Sequence, residues 1–252
     1  MARELRRLLL SPERLSAATG DGGSSAVRLT GEEQHYLQRV LRLRDGDRFA
    51  LVDGAGHLWQ ARLAKGQAEL LQPLDRPLQS QAAPELQLQL AVAMPRRDGD
   101  VLLRMATELG IDRLQPLLAE RSVVERWNPQ RSCVIVREAV EQCERLLAPQ
   151  LAEPVPLLPW LSRQSGPRFL ATTREARLPQ LQAVLSDLGR SLAVPTVLTV
   201  AIGPEGGWSP AEEEQAQASG WQPVQLGPTI LRSSTAAVAA ATLLCSWRAE
   251  LG

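Results

Sequence analysis

Two glycine-rich segments near the end of the 252-residue chain hold the residues best suited to bind a ligand. Residues 201–210 read AIGPEGGWSP, with three glycines and a single acid, Glu205. Residues 225–236 read QLGPTILRSSTA, with a single basic residue, Arg232. Because glycine has no Cβ, a ligand can approach its backbone N–H and C=O groups closely. An ordinary loop between a strand and a helix explains either segment equally well when it is taken alone.

The composition of the two segments favours a particular kind of ligand. Both are apolar and rich in backbone carbonyls, and Arg232 is their only cation. This suits a ligand with an adenine group and a positive centre better than a polyphosphate. The sequence also lacks a P-loop and a GxGxxG turn after the first strand of the α/β part, so two common nucleotide sites have no support.

The sequence gives little support for a hydrolase, a metal site or a membrane span. The two histidines, His35 and His57, are remote from any serine or cysteine in a nucleophile context, which argues against a hydrolase triad. The three cysteines are scattered, and no metal-binding cluster is visible. The formal net charge is zero, so an RNA partner would need a local basic patch. No uncharged apolar run approaches 18 residues, and we expect a soluble, cytoplasmic protein without a membrane or metal partner.

The elements around the two segments determine where their residues lie. Residues 196–200 (TVLTV) form a short, β-branched run that predicts a buried strand. After the glycines, Ser209 is a predicted N-cap, a proline occupies the first helical position, and Glu212 completes a capping box. The second segment follows a predicted strand over 223–226 and precedes an alanine-rich helix over 235–247. Both segments are therefore expected at the C-terminal ends of neighbouring strands, where open α/β sheets bind ligands.

The chain divides at residues 72–85, a segment with three prolines that we interpret as a linker. Residues 1–80 contain short strand-like runs, among them 47–52 and 58–63, and predict a small, mostly β, barrel-like domain with one helix. Residues 81–252 alternate strands and helices, which predicts an α/β domain with a parallel sheet covered on both faces.

Two of the predicted helices have defined inward faces. The first covers 32–41, with Leu37, Val40 and Leu41 inward. The second covers 100–109 and stops at Gly110, with Leu102, Met105, Ala106 and Leu109 inward. The remaining predicted elements are strands over 86–94, 111–118 and 169–172 and helices that begin at 129 and cover 178–188.

Several separate motifs, in order, resemble the RsmE family. The C-terminal ones are residues 202–209 (IGPEGGWS), Leu226-Gly227, residues 230–232 (ILR) and Thr235-Ala236. The central ones are residues 106–110 (ATELG), residues 116–122 (PLLAERS), Glu138-Ala139 and residues 141–145. The N-terminal ones are His35, residues 39–42 (RVLR) and Gly46-Asp47. The resemblance covers roughly residues 28–245.

This resemblance implies both an activity and an architecture. RsmE enzymes are SPOUT-class methyltransferases that use S-adenosylmethionine to methylate N3 of one uridine in 16S ribosomal RNA of the small subunit. They have an N-terminal PUA-like β-barrel that helps bind RNA and a C-terminal α/β domain with a trefoil knot, and they are homodimers. The partners expected here are therefore 16S rRNA or the small ribosomal subunit, and a second copy of the chain.

The resemblance also suggests roles for individual residues. The expected cofactor-binding residues are Ile202, Gly203, Pro204, Gly206, Gly207, Leu226, Gly227, Ile230, Leu231 and Ala236. Arg232 is expected to orient the acceptor uridine or its phosphate, or else it is a surface arginine that caps a turn. Glu205 is expected to help remove the N3 proton or hold the cofactor, or else it is a structural carboxylate. Candidate phosphate contacts are Arg39, Arg42, Arg44, Arg48, Arg96 and Arg97.

The chain departs from the family pattern at a few positions. Ser234 stands where a glutamate is common, and Glu144 stands where a glycine is usual. Residues 96–100 lack the usual lysine, and Arg104-Met105 replaces a frequent Gln-Lys pair. Two alternatives therefore stay open. One is a SPOUT methyltransferase that acts elsewhere on RNA, such as on a ribose 2′-O, and the other is an RNA-binding ribosome-assembly factor with vestigial activity.

Overall fold

The computed structural model describes residues 5–17, 25–123, 127–173, 177–189 and 192–251. The chain forms two units: residues 1–83 together with 137–148, and residues 84–136 together with 149–252. The division predicted from the sequence has one boundary, at residue 80. It does not include the return of residues 137–148 to the first unit.

In its described part, residues 5–17 and 25–83, the first unit contains six strands and two short α-helices. They are β1 (Arg7–Leu9), α1 (Pro12–Ser16), β2 (Ala26–Arg28), α2 (Gly31–His35), β3 (Arg48–Val52), β4 (His57–Ala64), β5 (Gln67–Leu70) and β6 (Gln79–Ser80). The sheet has the order β1-β3-β4-β5-β2, with β6 beside β4, and only the β1–β3 pair is parallel. Its main core contains Leu8, Leu37, Phe49, Leu51 and Leu63. The mostly β character predicted for this part is confirmed.

The predicted helix over 32–41 has a different form from the one expected. It begins with α2, whose N-cap Thr30 forms a capping box with Glu33, and continues as a π-helical turn over Tyr36–Val40. Leu37 is fully buried, but Val40 is 59% exposed, so the inward placement of Val40 is wrong. The wider π turn, in which the Leu41 N–H bonds to the Tyr36 carbonyl, changes the helical register on which that prediction rested.

The return segment, residues 137–148, packs on the edge strand β1. The Leu9 N–H, on the side of β1 away from β3, donates to Glu141 Oε1 at 2.8 Å. Arg7 forms an ion pair with Glu144 and also donates to its carbonyl. Leu146 joins a second apolar cluster of this unit. A side-chain carboxylate thus covers a backbone donor that an edge strand leaves without a partner.

The second unit is a parallel α/β structure, as the alternating pattern predicted. Its elements are β7 (Leu86–Ala93), α3 (Gly99–Leu109), β8 (Arg113–Leu118), α4 (Pro129–Gln142, which continues into the return segment), β9 (Gln150–Leu151), β10 (Val155–Pro156), α5 (Leu157–Leu161), β11 (Arg168–Ala171), α6 (Leu181–Leu188), β12 (Thr196–Ile202), α7 (Pro210–Ala218), β13 (Gln222–Val224) and α8 (Ser233–Leu251). The strand order is β10-β8-β7-β12-β11-β13, with β9 beside β8, and every pairing is parallel.

Helices α5 and α7 share one core cluster of this unit with the strands, through Trp160, Leu161, Ala216 and Trp221. Helices α3 and α6 pack on α8, which also contacts β7 and β12. The buried alanines of α8 are therefore used in packing within this unit.

Helix α3 ends at Gly110, whose φ of +110° confirms the predicted stop. Only part of the inward face predicted for α3 is confirmed. Leu102 and Ala106 are buried as expected, but Met105 is 36% exposed and its inward placement is wrong. The buried stripe includes Leu103 and Thr107, which turns Met105 to the edge of the packed face.

Candidate functional site

A cavity of about 390 Å³ lies at the C-terminal ends of three adjacent strands, β11, β12 and β13. Three loops build it: residues 172–173 after β11, residues 203–208 after β12 (the glycine turn), and residues 225–232 after β13 (the arginine loop). The described lining consists of Ala171, Thr172, Thr173, Ile202, Gly203, Pro204, Glu205, Gly207, Trp208, Glu213, Leu226, Thr229, Ile230, Leu231, Arg232, Ser233 and Ala236. The carboxyl edge of a parallel sheet is where such folds bind ligands.

The glycine turn is fixed where it enters α7. Ser209 and Glu212 form the predicted capping box, in which the Ser209 N–H donates to Glu212 Oε2 at 2.8 Å. Pro210 occupies the first turn of the helix, as predicted. The other carboxylate oxygen of Glu212 accepts the Glu120 N–H at 2.7 Å. One buried glutamate therefore caps α7 and holds the loop that follows β8.

Two hydrogen bonds connect the glycine turn to the start of α8 and to the end of β11. The Ser233 hydroxyl donates to the Gly203 carbonyl at 2.8 Å, and the Trp208 indole N–H donates to the Ala171 carbonyl at 2.9 Å. A Cβ at Gly203 would lie 3.1–3.3 Å from the Trp208 ring, so a side chain there would need the tryptophan to shift by a few tenths of an ångström. The backbone groups that face the cavity are consequently held in a fixed arrangement.

Arg121 supports the glycine turn from the loop after β8. Its Nη1 atom donates to the carbonyls of Gly206 and Trp208, each at 3.1 Å. A Cβ at Gly206 would lie 3.2 Å from the Arg121 Cβ, so the glycine lets the Arg121 side chain pack closely on the turn. The sequence analysis did not identify Arg121 as a site residue. The only signal for it was its position in the block 116–122.

The two residues predicted to be catalytic both line the cavity and are exposed. Glu205 Oε1 accepts the backbone N–H of Arg96 at 3.1 Å. The Arg232 carbonyl accepts the Ala236 N–H in the first turn of α8 at 2.8 Å, which fixes the backbone from which the guanidinium extends. Among the described lining residues, the charged ones are two acids, Glu205 and Glu213, and one cation, Arg232.

The structure brings most of the predicted cofactor residues together. Those that line the cavity are Ile202, Gly203, Pro204, Gly207, Leu226, Ile230, Leu231 and Ala236. Gly206 and Gly227 belong to the same loops but are not among the described lining residues. Ile230 is 82% exposed at the rim. Thr172, Thr173, Trp208, Glu213 and Ser233 line the cavity without having been predicted.

The predicted RNA-binding arginines fall into two sets. Arg39, Arg42 and Arg44 lie in the first unit, and all three are exposed in or just after the π-helical turn. Arg48, the first residue of β3, follows them closely in the sequence and is also exposed. Arg96 and Arg97 lie in the second unit, exposed between β7 and α3. Each unit therefore presents basic residues of its own.

Position 234, where the chain departs from the family pattern, is outside the described lining of the cavity. Within the described part of the chain, no group of three or more His, Cys, Asp or Glu residues has the arrangement needed to hold a metal ion. Among the same residues, no helix has both the length and the apolar character needed to cross a bilayer.

Comparison with known proteins identifies the family. Residues 82–245 match the model of an RNA methyltransferase domain, and residues 29–72 match that of an RNA methyltransferase PUA domain. The ribosomal RNA small subunit methyltransferase E of Synechocystis sp. is 40% identical over 243 residues, which cover 91% of this chain and 74% of that protein. The chain belongs to the ribosomal RNA small subunit methyltransferase E family. A member from Rickettsia conorii is 30% identical, with 86% of this chain and 88% of that protein covered.

Solved structures agree with this membership. The ribosomal RNA small subunit methyltransferase E of Neisseria gonorrhoeae, bound to S-adenosyl methionine, is 27% identical with a TM-score of 0.76, covering 96% of this chain and 98% of that one. A probable rRNA-methyltransferase from Porphyromonas gingivalis is 23% identical with a TM-score of 0.75, covering 98% of each chain, and indicates the shared fold. This member of the methyltransferase E family thus has an N-terminal PUA-like domain followed by a parallel α/β domain.

Proposed function

We propose that this chain transfers a methyl group from S-adenosylmethionine to N3 of one uridine in the 16S rRNA of the small ribosomal subunit. The observation that carries the proposal is the cavity between the glycine turn and the arginine loop, in a chain that belongs to the methyltransferase E family. The N. gonorrhoeae relative, crystallised with S-adenosyl methionine, supports the choice of cofactor.

The lining of the cavity fits such a cofactor. A volume of about 390 Å³ is within the range of roughly 300–1,000 Å³ that small-molecule sites occupy. Ile202, Leu226 and Leu231 supply apolar walls for an adenine, and the adjacent loop backbone supplies donors and acceptors. Glu205 and Glu213, the two acids of the described lining, suit a ligand with positive groups. When bound, S-adenosylmethionine supplies an electrophilic methyl group on a sulfonium centre.

The task that remains for the protein is to position the acceptor and to stabilise charge. Holding reactants in a productive geometry supplies roughly 7–11 kcal/mol of a barrier. The N3 proton of uridine must leave, and anionic character then develops on the base. Arg232, on the wall of the cavity, orients the uridine or its phosphate and stabilises that charge. Its backbone is fixed at the start of α8, so the guanidinium extends from a rigid element.

The proposal includes further properties of the molecule. Arg39, Arg42 and Arg44 of the first unit, and Arg96 and Arg97 of the second, contact RNA phosphates. The protein is cytoplasmic, since its substrate is ribosomal, and the loops of the parallel sheet form a SPOUT trefoil knot. It acts as a homodimer. Sedimentation at micromolar concentration tests this last point, and a monomer alone would contradict it.

The experiment for the activity uses purified protein and small ribosomal subunits from a strain that lacks the gene. The subunits are incubated with methyl-labelled S-adenosylmethionine, and the rRNA nucleosides are separated by mass spectrometry. We expect N3-methyluridine at one position. A labelled 2′-O-methyl nucleoside would indicate a methyltransferase with another target. Absence of label, together with no calorimetric signal from S-adenosylmethionine, would indicate an RNA-binding factor with vestigial activity.

A further inference from the structure

Strands β7 and β12 end side by side at the edge of the sheet that carries the cavity. They pair in parallel along their whole length, with Ile202 beside Val92 at the carboxyl end. The glycine turn therefore leaves the sheet next to the segment that follows β7, residues 95–98, which we call the basic segment. One of these two loops lines the cavity, and the other carries Arg96 and Arg97.

A side-chain contact joins the two loops. Glu205 Oε1, in the glycine turn, accepts the backbone N–H of Arg96 at 3.1 Å. Pro95 is buried, whereas the next three residues are exposed. Asp98 then adopts a left-handed conformation, with a φ of +66°, and its carbonyl receives the Leu102 N–H in the first turn of α3. The contact with Glu205 thus lies in the middle of a short, exposed segment that is anchored at both ends.

From this geometry we infer that Glu205 is a positioning residue, which holds the basic segment beside the cavity, and is not the base that removes the N3 proton. The inference rests on the proposed function for its substrate, RNA. A hydrogen-bond acceptor for an amide needs an oxygen at the right distance and no negative charge. A general base needs a carboxylate that presents a lone pair to the N3 proton within about 2.6–3.2 Å. The two roles therefore respond in opposite ways to conservative changes.

Three substitutions at one position separate the two roles. Glu205→Gln keeps the length and an acceptor oxygen, and we expect kcat/KM for RNA to fall less than threefold with an unchanged pH profile. Glu205→Asp keeps the charge, but its shorter side chain moves the acceptor oxygen away from the Arg96 N–H. Glu205→Ala removes the acceptor oxygen. For both we expect a loss of more than tenfold, mainly in KM, because the arginines of the basic segment are no longer held in place. Glu214→Gln, a change to an exposed acid on α7, is the charge-matched control.

A second measurement needs no activity. Amide hydrogen exchange at Arg96, followed at residue resolution in the intact protein, reports directly on the contact with Glu205. We expect exchange to accelerate at least tenfold in Glu205→Ala, to accelerate less in Glu205→Gln, and to stay unchanged in Glu214→Gln.

The outcomes distinguish this inference from the proposed function. If Glu205→Gln abolishes methyl transfer while Glu205→Asp retains it, Glu205 acts as a base and the inference is overturned. If the Arg96 amide exchanges hydrogen at the same rate in every variant, Glu205 does not hold the basic segment in place and the inference is also overturned. If the unchanged protein transfers no methyl group to the subunit, the proposed function fails, and the exchange experiment still decides whether Glu205 positions the basic segment.

Discussion

At the scale of single residues, the shape of the glycine turn depends on side chains from other parts of the second unit. Arg121 bonds to two carbonyls of the glycine turn, and Ser233 bonds to a third. These contacts hold three carbonyls of the glycine turn. Arg121 is not among the described residues that line the cavity, whereas Ser233 both holds the turn and lines the cavity.

Substitution of Arg121 by alanine is expected to weaken cofactor binding about tenfold, because charge-assisted hydrogen bonds of this kind contribute about 1.5–3 kcal/mol each when well shielded and less when partly exposed. Arg121→Lys keeps a cationic nitrogen that can donate hydrogen bonds, so cofactor binding should weaken less. Isothermal titration with S-adenosylmethionine measures the effect. Arg104→Ala, an exposed arginine on α3 of the same unit, is the control. An unchanged dissociation constant in Arg121→Ala would show that the turn keeps its shape without this support.

Residue contacts of this kind were predictable only where they are local. The Ser209–Glu212 capping box spans three positions and can be read directly from the sequence. The contacts of Arg121 with the glycine turn span 85 and 87 positions, and the Ser233–Gly203 contact spans 30. No spacing rule connects such partners. They become neighbours only because parallel strands place distant loops at one edge.

At the scale of elements, the end of α4 shows how an edge strand is covered. Glu141 is 9% exposed and accepts the Leu9 N–H of β1. The pKa of this carboxyl is raised from 4.5 to about 7: burial and the nearby Glu138 raise it, and the Leu9 N–H, Arg137 and Tyr36 lower it by less. Desolvation is the largest of these influences. The ionised carboxylate is therefore less favourable in the folded protein than in the unfolded chain.

This shift predicts a pH dependence of stability. Between the unfolded pKa of 4.5 and the folded pKa of about 7, the folded protein holds a proton that the unfolded chain has released. The free energy of unfolding should therefore fall as pH rises through that window, and stay level above it as far as Glu141 is concerned. At about 1.4 kcal/mol per pKa unit, the loss is about 3 kcal/mol at most.

Glu141→Gln tests this expectation, because glutamine keeps an acceptor for Leu9 and cannot ionise. The variant should lack the Glu141 part of the slope and should be more stable than the natural protein at pH 8. Urea unfolding at pH 5, 6, 7 and 8 measures both quantities. Glu32→Gln, an exposed acid on α2, should leave the slope as it is. An identical slope in Glu141→Gln would mean that the carboxyl titrates normally.

The elements were more predictable than their packing. The strand before the glycine turn agrees with its apolar pattern, the helix after the turn agrees with its capping residues, and α3 agrees with its apolar pattern and glycine stop. Val40 and Met105 were placed wrongly because burial depends on the exact helical register and on the neighbouring element. The return of residues 137–148 to the first unit was unpredictable for a related reason. Its apolar positions indicate a buried face but do not identify the partner.

At the scale of the whole molecule, the cavity and the N-terminal basic residues belong to different units. The described residues that line the cavity all lie within positions 171–236 of the second unit. Arg39, Arg42 and Arg44 are exposed in the first. Cofactor binding and part of the RNA binding should therefore be separable by substitution, although methyl transfer requires both.

The combined change of Arg39, Arg42 and Arg44 to alanine is expected to leave the dissociation constant of S-adenosylmethionine unchanged and to weaken RNA binding about tenfold. Each lost phosphate contact reduces the slope of log affinity against log salt by about 0.7–0.9, so the slope should fall by about 2–3 if all three contact phosphate. Filter binding of rRNA at several salt concentrations, alongside titration with the cofactor, measures both effects. The control is a second triple variant that removes the same charge from other exposed positions. It changes Arg28, Arg76 and Arg163 to alanine. If this control lowers RNA affinity and the salt slope equally, net charge and not a local contact drives binding, and the assignment of the three N-terminal arginines is wrong.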